Sequence, residues 1–362
     1  MKHARRGLAL PVAVFTIAII ALFIAGSAFT ASQEARASLG TLAERSAIEA
    51  AEYGLVAVLR DWDRRWNTST PIGQTLGPFT HNLAGGATAQ SRATRTSLTT
   101  WWVTSEGLIG ATRRREARRM LNAIFRLDLM PAPPDYALGV GDSAQVVGTG
   151  VVIGTDSTEA IGICSTLPIA PVAGVAAPDT TQVLGLAGIT GTPVLLSDST
   201  PALVAAQLDS AVIPTIVLPA GAIITPAPVV SAGVCDTLAT TNWGDPSGGV
   251  CSNHFPVIRA LGDVTVRGGA GQGILIAAGD VRFENGAMFS GIVTPRDDFV
   301  TGSGGGFVLG MVVAGDVRRR AGDHTIVGSG GSIRRSSCRV QQVRLATANP
   351  TRITRRWWAE FN

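Results

Sequence analysis

No charged residue occurs from Gly7 to Gln33, and this run follows a short basic head of Lys2, Arg5 and Arg6. Within it, Leu8–Ala31 is long enough to cross a bilayer as a helix, which takes about 20 residues. The helical pattern does not stop there. Ile48, Ala51, Leu55, Val58, Leu59 and Trp62 recur at three- and four-residue steps, while Glu44, Glu49, Glu52 and Arg60 fall largely elsewhere on the wheel. The sequence therefore predicts a transmembrane helix over 8–31 that runs on as an amphipathic helix over 32–66.

Two simpler readings share this opening. A cleaved secretory signal has an apolar core of about 7–15 residues and a small-residue cleavage site. The run here is longer, and its nearest such site, Gly26-Ser27-Ala28, is imperfect. A plain signal anchor shares the head, the span and the orientation, and the opening alone does not separate it. On every one of these readings the positive-inside rule keeps the head cytoplasmic and carries the bulk of the chain across the membrane.

The rest of the chain is poor in charge (15%), rich in glycine (43 of 362 residues) and 46% hydrophobic. Disorder needs few apolar residues and much charge, so repetitive β structure with many tight turns is the better account. The net charge of +4 is unevenly placed: from Val317 onward ten arginines face only Asp323 and Glu360. Cys164, Cys235, Cys251 and Cys338 form no C-x-x-C pair, and His254 is the only nearby histidine, which argues against zinc. In an exported protein the spacing favours Cys235–Cys251, leaving Cys164 with Cys338, although three connectivities are open.

Along the chain, Asn67–Gly86 reads as a loop, with Pro71, Gly73, Gly77, Pro78 and Gly85-Gly86. Thr94–Asp128 reads as a hairpin or three-stranded antiparallel meander packed on the amphipathic helix. Its RRREARR run (113–119) reads as a solvated face. Met130–Pro134 is a linker. Residues 135–157 alternate glycine with short β-branched runs, and the same texture returns over 257–335. There Gly262-Asp263-Val264, Gly279-Asp280-Val281 and Gly315-Asp316-Val317 repeat at steps of 17 and 36, one and two turns of about 18 residues. The intervening 158–256 is taken as an Ala/Gly/Pro-rich insertion, with a short helix after Ser199-Thr200-Pro201. The fold class expected is α+β then mostly β. A basic leader (1–7) and the long helix lead to a small antiparallel sheet within 67–134. A β-solenoid-like, right-handed β-helix-like domain with an insertion follows, and a basic tail (336–362) ends the chain.

No motif for catalysis or nucleotide binding is present: G-x-S-x-G, Walker, H-E-x-x-H and EF-hand patterns are all absent. Gly148–Gly154 has the wrong spacing for a dinucleotide loop and reads as a turn. Asp280, Glu284, Asp297 and Asp298 lie one coil apart, where β-helix folds can carry carbohydrate-cleaving acid/base pairs. An Asp after Gly at a coil corner also serves by bonding nearby backbone amides, and this structural role is the one the sequence favours. His254 and His324 have no evident partner and read as ordinary hydrogen-bonded histidines. Arg352-Ile-Thr-Arg-Arg-Trp-Trp358 mixes cations with indoles, as nucleic-acid-binding segments do. A terminal strand with its tryptophans packed down is the preferred reading. No cofactor or metal is expected.

RRGLALPVAVFTIAIIAL followed by ERSAIEAAEYGLVAVLRDW resembles the opening of PilX-type minor pilins and related type II secretion pseudopilins, including the Ala50-Ala51-Glu52 stretch. GGAGQGILIAAGDVRFENGAMFSGIV resembles C-terminal segments of large members of that group. The resemblance implies cleavage by prepilin peptidase between Gly7 and Leu8 and N-methylation of Leu8. It also implies a helix bundled with other pilin subunits in a fibre, and no enzymatic activity. Pro11 suits the first turn of a helix that begins near Leu8. Most pilins carry Glu at the fifth residue after the cut, where this chain has Val12. A subunit lacking that buried carboxylate suits a fibre tip or priming role better than the fibre body. The alternative class is a membrane-anchored β-helix that binds or cleaves extracellular polysaccharide.

Overall fold

A computed structural model describes residues 9–109, 117–131, 134–156, 171–315 and 324–353. Helix α1 (Ala9–Arg60) is unbroken for 52 residues. Its C-terminal part lies across a sheet of β1 (Thr75–Asn82), β2 (Ala87–Arg95), β3 (Thr100–Ile109) and β4 (Ala117–Asp128), paired antiparallel in chain order. Small residues make the first contacts. Ala47, Ala50, Ala51 and Gly54 are buried against Ala89, Ser91, Ser105 and Gly107. A Cβ at Gly54 would overlap the Ser105 hydroxyl, and one at Gly107 would overlap the Ala47 carbonyl. Helix and sheet therefore approach more closely than larger side chains permit. Farther along, Leu55 and Val58 meet Trp101 and Phe125, with Trp62 edge-on to Trp101 at 5.1 Å. A short helix α2 (Trp66–Ser69) follows α1, and its Trp66 stacks on Phe79 of β1.

The expected loop over 67–86 thus contains an edge strand, β1, and the sheet is larger than a three-stranded meander. An edge position tolerates Pro78, because the outer side of an edge strand needs no N–H. The segment read as a basic tail is also structured in its described part. Ser337–Thr347 forms a helix, and Asn349–Arg352 pairs with β4 as the fifth strand. Of the RRREARR run, Arg118 pairs with Glu106 and Arg119 with Glu44; residues 113–116 lie outside the described residues.

The described residues between β4 and that fifth strand build a second unit made chiefly of parallel strands. One sheet runs in space through Ala222–Ile224, Val264–Arg267, Val281–Glu284, Phe299–Thr301, Thr325–Val327, Ala144–Val146 and Val183–Leu184. The other is centred on three long strands, Ala270–Ala277, Ala287–Pro295 and Gly306–Ala314, stacked in register. Gly273, Gly291 and Gly310 align at their midpoints with φ of 116°, 141° and 144°. A Cβ at Gly310 would fall on the Gly291 carbonyl, and one at Gly291 on the Gly273 carbonyl. The column needs glycine for conformation and for space. The halves of these strands diverge at the column. The first half of Gly306–Ala314 pairs with Ser332–Arg335 and the second with Tyr136–Val140. Phe283, Phe289, Phe299, Val293 and Val312 fill the interior between the sheets.

The spatial order differs from the chain order. The rung after Thr325–Val327 is composite, with Ser332–Arg335 from late in the chain and Tyr136–Val140 and Ala144–Val146 from early in it. Buried Arg335 closes this seam, its Nη1 donating to the Tyr136 carbonyl at 3.0 Å. The described part of 135–157 therefore stacks directly on the strands within 306–314 and 325–335. The segment 158–256, read as an insertion, contributes structure to the stack in its described part. Ala173–Ala177, Ile189–Thr190 and Leu195–Ser197 extend one end, and Ile216–Leu218 and Ala222–Ile224 the other. Strands of two to five residues are too short to show a local amphipathic pattern, and their burial comes from the neighbouring rung. A helix α3 (Pro201–Ala211) lies where the Thr200-Pro201 pair predicts one. The last helix, α4 (Ser337–Thr347), returns the chain to the antiparallel sheet. Asn67 Nδ2 donates to the Leu345 and Ala348 carbonyls and holds it there.

Candidate functional site

The N-terminal half of α1 is the most exposed apolar surface among the described residues. Leu10, Val14, Phe15, Ile17, Leu22, Phe23, Ile24 and Phe29 are each at least 60% exposed, and no charge occurs from Ala9 to Gln33. At about 1.5 Å per residue this charge-free stretch spans roughly 37 Å, enough to cross a hydrocarbon core of about 30 Å. Pro11 occupies the first turn, where its missing N–H leaves no bond unmade. Val12 is exposed, and its carbonyl accepts a bond from Thr16 Oγ1 at 2.7 Å. Gly7 and Leu8, the predicted processing residues, lie outside the described residues.

The carboxylates singled out in the sequence go to two structural tasks. Asp263 Oδ1 accepts the Asp280 N–H at 2.9 Å, and Asp280 Oδ1 accepts the Asp298 N–H at 3.0 Å. Each aspartate thus secures the equivalent corner of the next rung. The ladder then departs from the sequence expectation. Val300 faces Ile326, so the corner beyond Asp298 is His324-Thr325 and not Asp316-Val317. The 36-residue step does not measure two equal turns, because the connection after Ala314 is longer than its counterparts; Asp316 and Val317 lie outside the described residues.

Glu284 is bridged by Arg282 at 2.8 Å and Arg267 at 3.2 Å, and these two partners hold its carboxyl below the usual range. A glycosidic general acid needs the opposite shift. Asp297 is buried beside Asp298. Among the described residues, no cluster of three or more His, Cys, Asp or Glu is placed to hold a metal. His324 has a partner the sequence did not suggest: its Nδ1 lies 2.6 Å from Ser143 Oγ across the seam. His254 is half-buried, and that burial lowers its pKa.

Cys235 and Cys251 form a disulfide. Cys338, buried in α4, is also disulfide-bonded, and Cys164 lies outside the described residues. The 235–251 bond closes a segment that caps one edge of the stack. The Ala270 N–H donates to the Pro226 carbonyl, and the Gln272 N–H to that of Trp243. Trp243 is fully buried, edge-on to Phe289 at 6.1 Å, in space left by Gly271. Asn242 Nδ2 ties the segment to the Val229 and Asp236 carbonyls.

Sequence periodicity missed the residues that set the close contacts. Of the expected stripe, Ala51, Leu55 and Val58 are buried on the sheet while Ile48 and Leu59 are half-buried, and Ala47, Ala50 and Gly54, which the stripe omitted, share the contact. The readable signal was their spacing, small residues at three- and four-residue steps. Of Gly148–Gly154, read as a turn, only the start is one, and Val151–Ile153 form a strand. Arg352 belongs to the fifth strand, and 354–362 lie outside the described residues.

No family model matches the chain, and no curated protein matches it. Among solved structures, the competence-associated pilin ComZ from Thermus thermophilus is similar over 88% of this chain and 97% of that one, with 11% identity and a TM-score of 0.26. At that score no residue or role carries over.

Proposed function

We propose that the protein is a non-enzymatic minor pilin or pseudopilin of the PilX type, acting at the tip or in priming of a type IV pilus or type II secretion-like fibre. One observation carries this reading. A single rigid helix is apolar and bare over its first half, and its second half is packed by small residues onto an antiparallel sheet. A bare apolar half is costly in water and stable in a bilayer or among like helices. On this reading prepilin peptidase cuts between Gly7 and Leu8, Leu8 is N-methylated, and the chain sits in the inner membrane with its N-terminus cytoplasmic. The parallel stack would then be a β-solenoid head carried outside the membrane. Val12, in place of a carboxylate, fits a subunit with no pilin above it whose terminal amine needs neutralising.

Gly7→Ala tests the proposal in the native cells. It should leave a longer, unprocessed chain in the membrane fraction and abolish fibre assembly. Unchanged mass and unchanged fibres would contradict the reading.

A further inference from the structure

The outer surface of the stack holds a cavity whose described lining includes no residue of α1. Its volume is about 340 Å³, and it lies over the first halves of the long strands, between the cystine-closed segment at Pro246 and the start of α4. In-register pairing makes its floor. Met288 faces Phe307 across the ladder, and Ser290 faces Leu309, which faces Arg334. The floor is therefore mostly apolar, with one polar group set into it.

That group is Ser290. The residue is 3% exposed and lines the cavity, and among the described residues its Oγ has no hydrogen-bond partner. A buried hydroxyl without a partner is uncommon and points to something that completes it. Two arginines stand at the same cavity. Arg334 lies with its guanidinium 5.8 Å from the Phe307 ring centre, and among the described residues it makes no ion pair. Arg339, in the first turn of α4, holds its side chain there by donating to Gln342 Oε1 at 3.2 Å. Among the described residues, no aspartate or glutamate lines the cavity.

We propose that this cavity binds a small organic carboxylate with an apolar body. The body would cover Met288, Phe307 and Leu309, and the carboxylate would accept from the Arg334 guanidinium, a planar donor fork suited to it. The Ser290 hydroxyl would donate to the same ligand. Size agrees, since pockets for small ligands begin at about 300 Å³. A sugar fits poorly, because it would bring several hydroxyls to a floor offering one. A phosphate monoester fits poorly too, because its more strongly hydrated charge would face methionine and phenylalanine. A free acid and the C-terminal residue of a polypeptide share the required chemistry. The proposal does not depend on whether the chain polymerises.

Isothermal titration of the full chain in nanodiscs with 3-phenylpropionate tests it, with 3-phenylpropanol as the uncharged control and N-acetylphenylalanine as the polypeptide C-terminus. The carboxylates should saturate one site at a Kd on the order of 0.1 mM, and the alcohol should bind at least tenfold more weakly. The tighter of the two acids identifies the source. Arg334→Gln, a change at an exposed side chain, should weaken 3-phenylpropionate at least tenfold, with Arg334→Lys recovering part of the loss. Ser290→Ala should weaken it severalfold. Equal binding of acid and alcohol, an Arg334→Gln variant that binds like the parent, or no saturable binding of either acid at millimolar concentration would overturn the proposal.

Discussion

The helix-on-sheet unit and the parallel stack achieve close packing in opposite ways. In the first, two unlike elements meet, and small side chains at Ala47, Ala51, Gly54, Ser91 and Gly107 let them approach. Its contacts join α1 to β2, β3 and β4, so an error at one point disturbs a single interface. In the stack, like strands lie on like strands. A residue such as Gly291 sits between its own equivalents, Gly273 and Gly310, and any change is passed to the rungs on either side. The first unit is specified by pattern along one segment. The second is specified by columns whose members are far apart in sequence. Damage should accordingly stay local in the first and spread in the second.

The sharpest break in that comparison is Gly310→Val. It forces a β-branched residue to φ of 144° and places a Cβ on the Gly291 carbonyl. The expected loss is more than about 4 kcal/mol. Hydrogen exchange should show it as lost protection from Ala270 through Arg335, with β1–β4 still protected. Replacing Cys235 and Cys251 together with serine should cost about 3 kcal/mol, the scale for a loop of this length. The Ala270 and Gln272 amides, which bond to the cap, should exchange first. Gly54→Val should cost about 2 kcal/mol by pushing the helix from Ser105. In contrast to Gly310→Val, it should expose amides of β2 and β3 and spare the stack.

Smaller effects sharpen the picture within the stack. Asp280→Ala removes the acceptor for the Asp298 N–H and should cost about 1 kcal/mol, with Asp280→Asn recovering most of it. His254 supplies the pH dependence. Burial lowers its folded pKa, so the unfolded chain takes up the proton first as pH drops below about 6.5. The corresponding stability is intact above that value and is lost as pH falls. The unfolding midpoint should fall between pH 7.5 and 5.5, and His254→Gln should flatten the slope.

These differences also explain what the sequence made readable. The helix was legible along its length, since its lack of charge over 9–33 and its later 3.6 period are local signals, but it ends at Arg60 and not at 66. Strands β3 and β4 fall within the 94–128 stretch read as a hairpin or meander, whereas β2 lies almost wholly before it and was not read. Strand β1 was hidden by Gly77 and Pro78, which an edge position accommodates. The aspartate ladder was visible at Asp263 and Asp280, where rungs are 17 and 18 residues apart. It misled at Asp316, because the next rung carries a longer connection. The seam between Arg335 and Tyr136 leaves no local trace, since it joins residues 199 positions apart. The cavity was invisible for the same reason. Met288, Ser290, Phe307 and Arg334 become neighbours only once the register is known.

The central claim is that the bare half of α1 belongs to a processed, pilin-like subunit, and intact-mass and N-terminal peptide mass spectrometry on protein from its own cells tests it most directly. The mature chain should begin at Leu8 and carry one methyl group on its amine. A chain that retains Met1–Gly7, or one cut near Ala28, would contradict it.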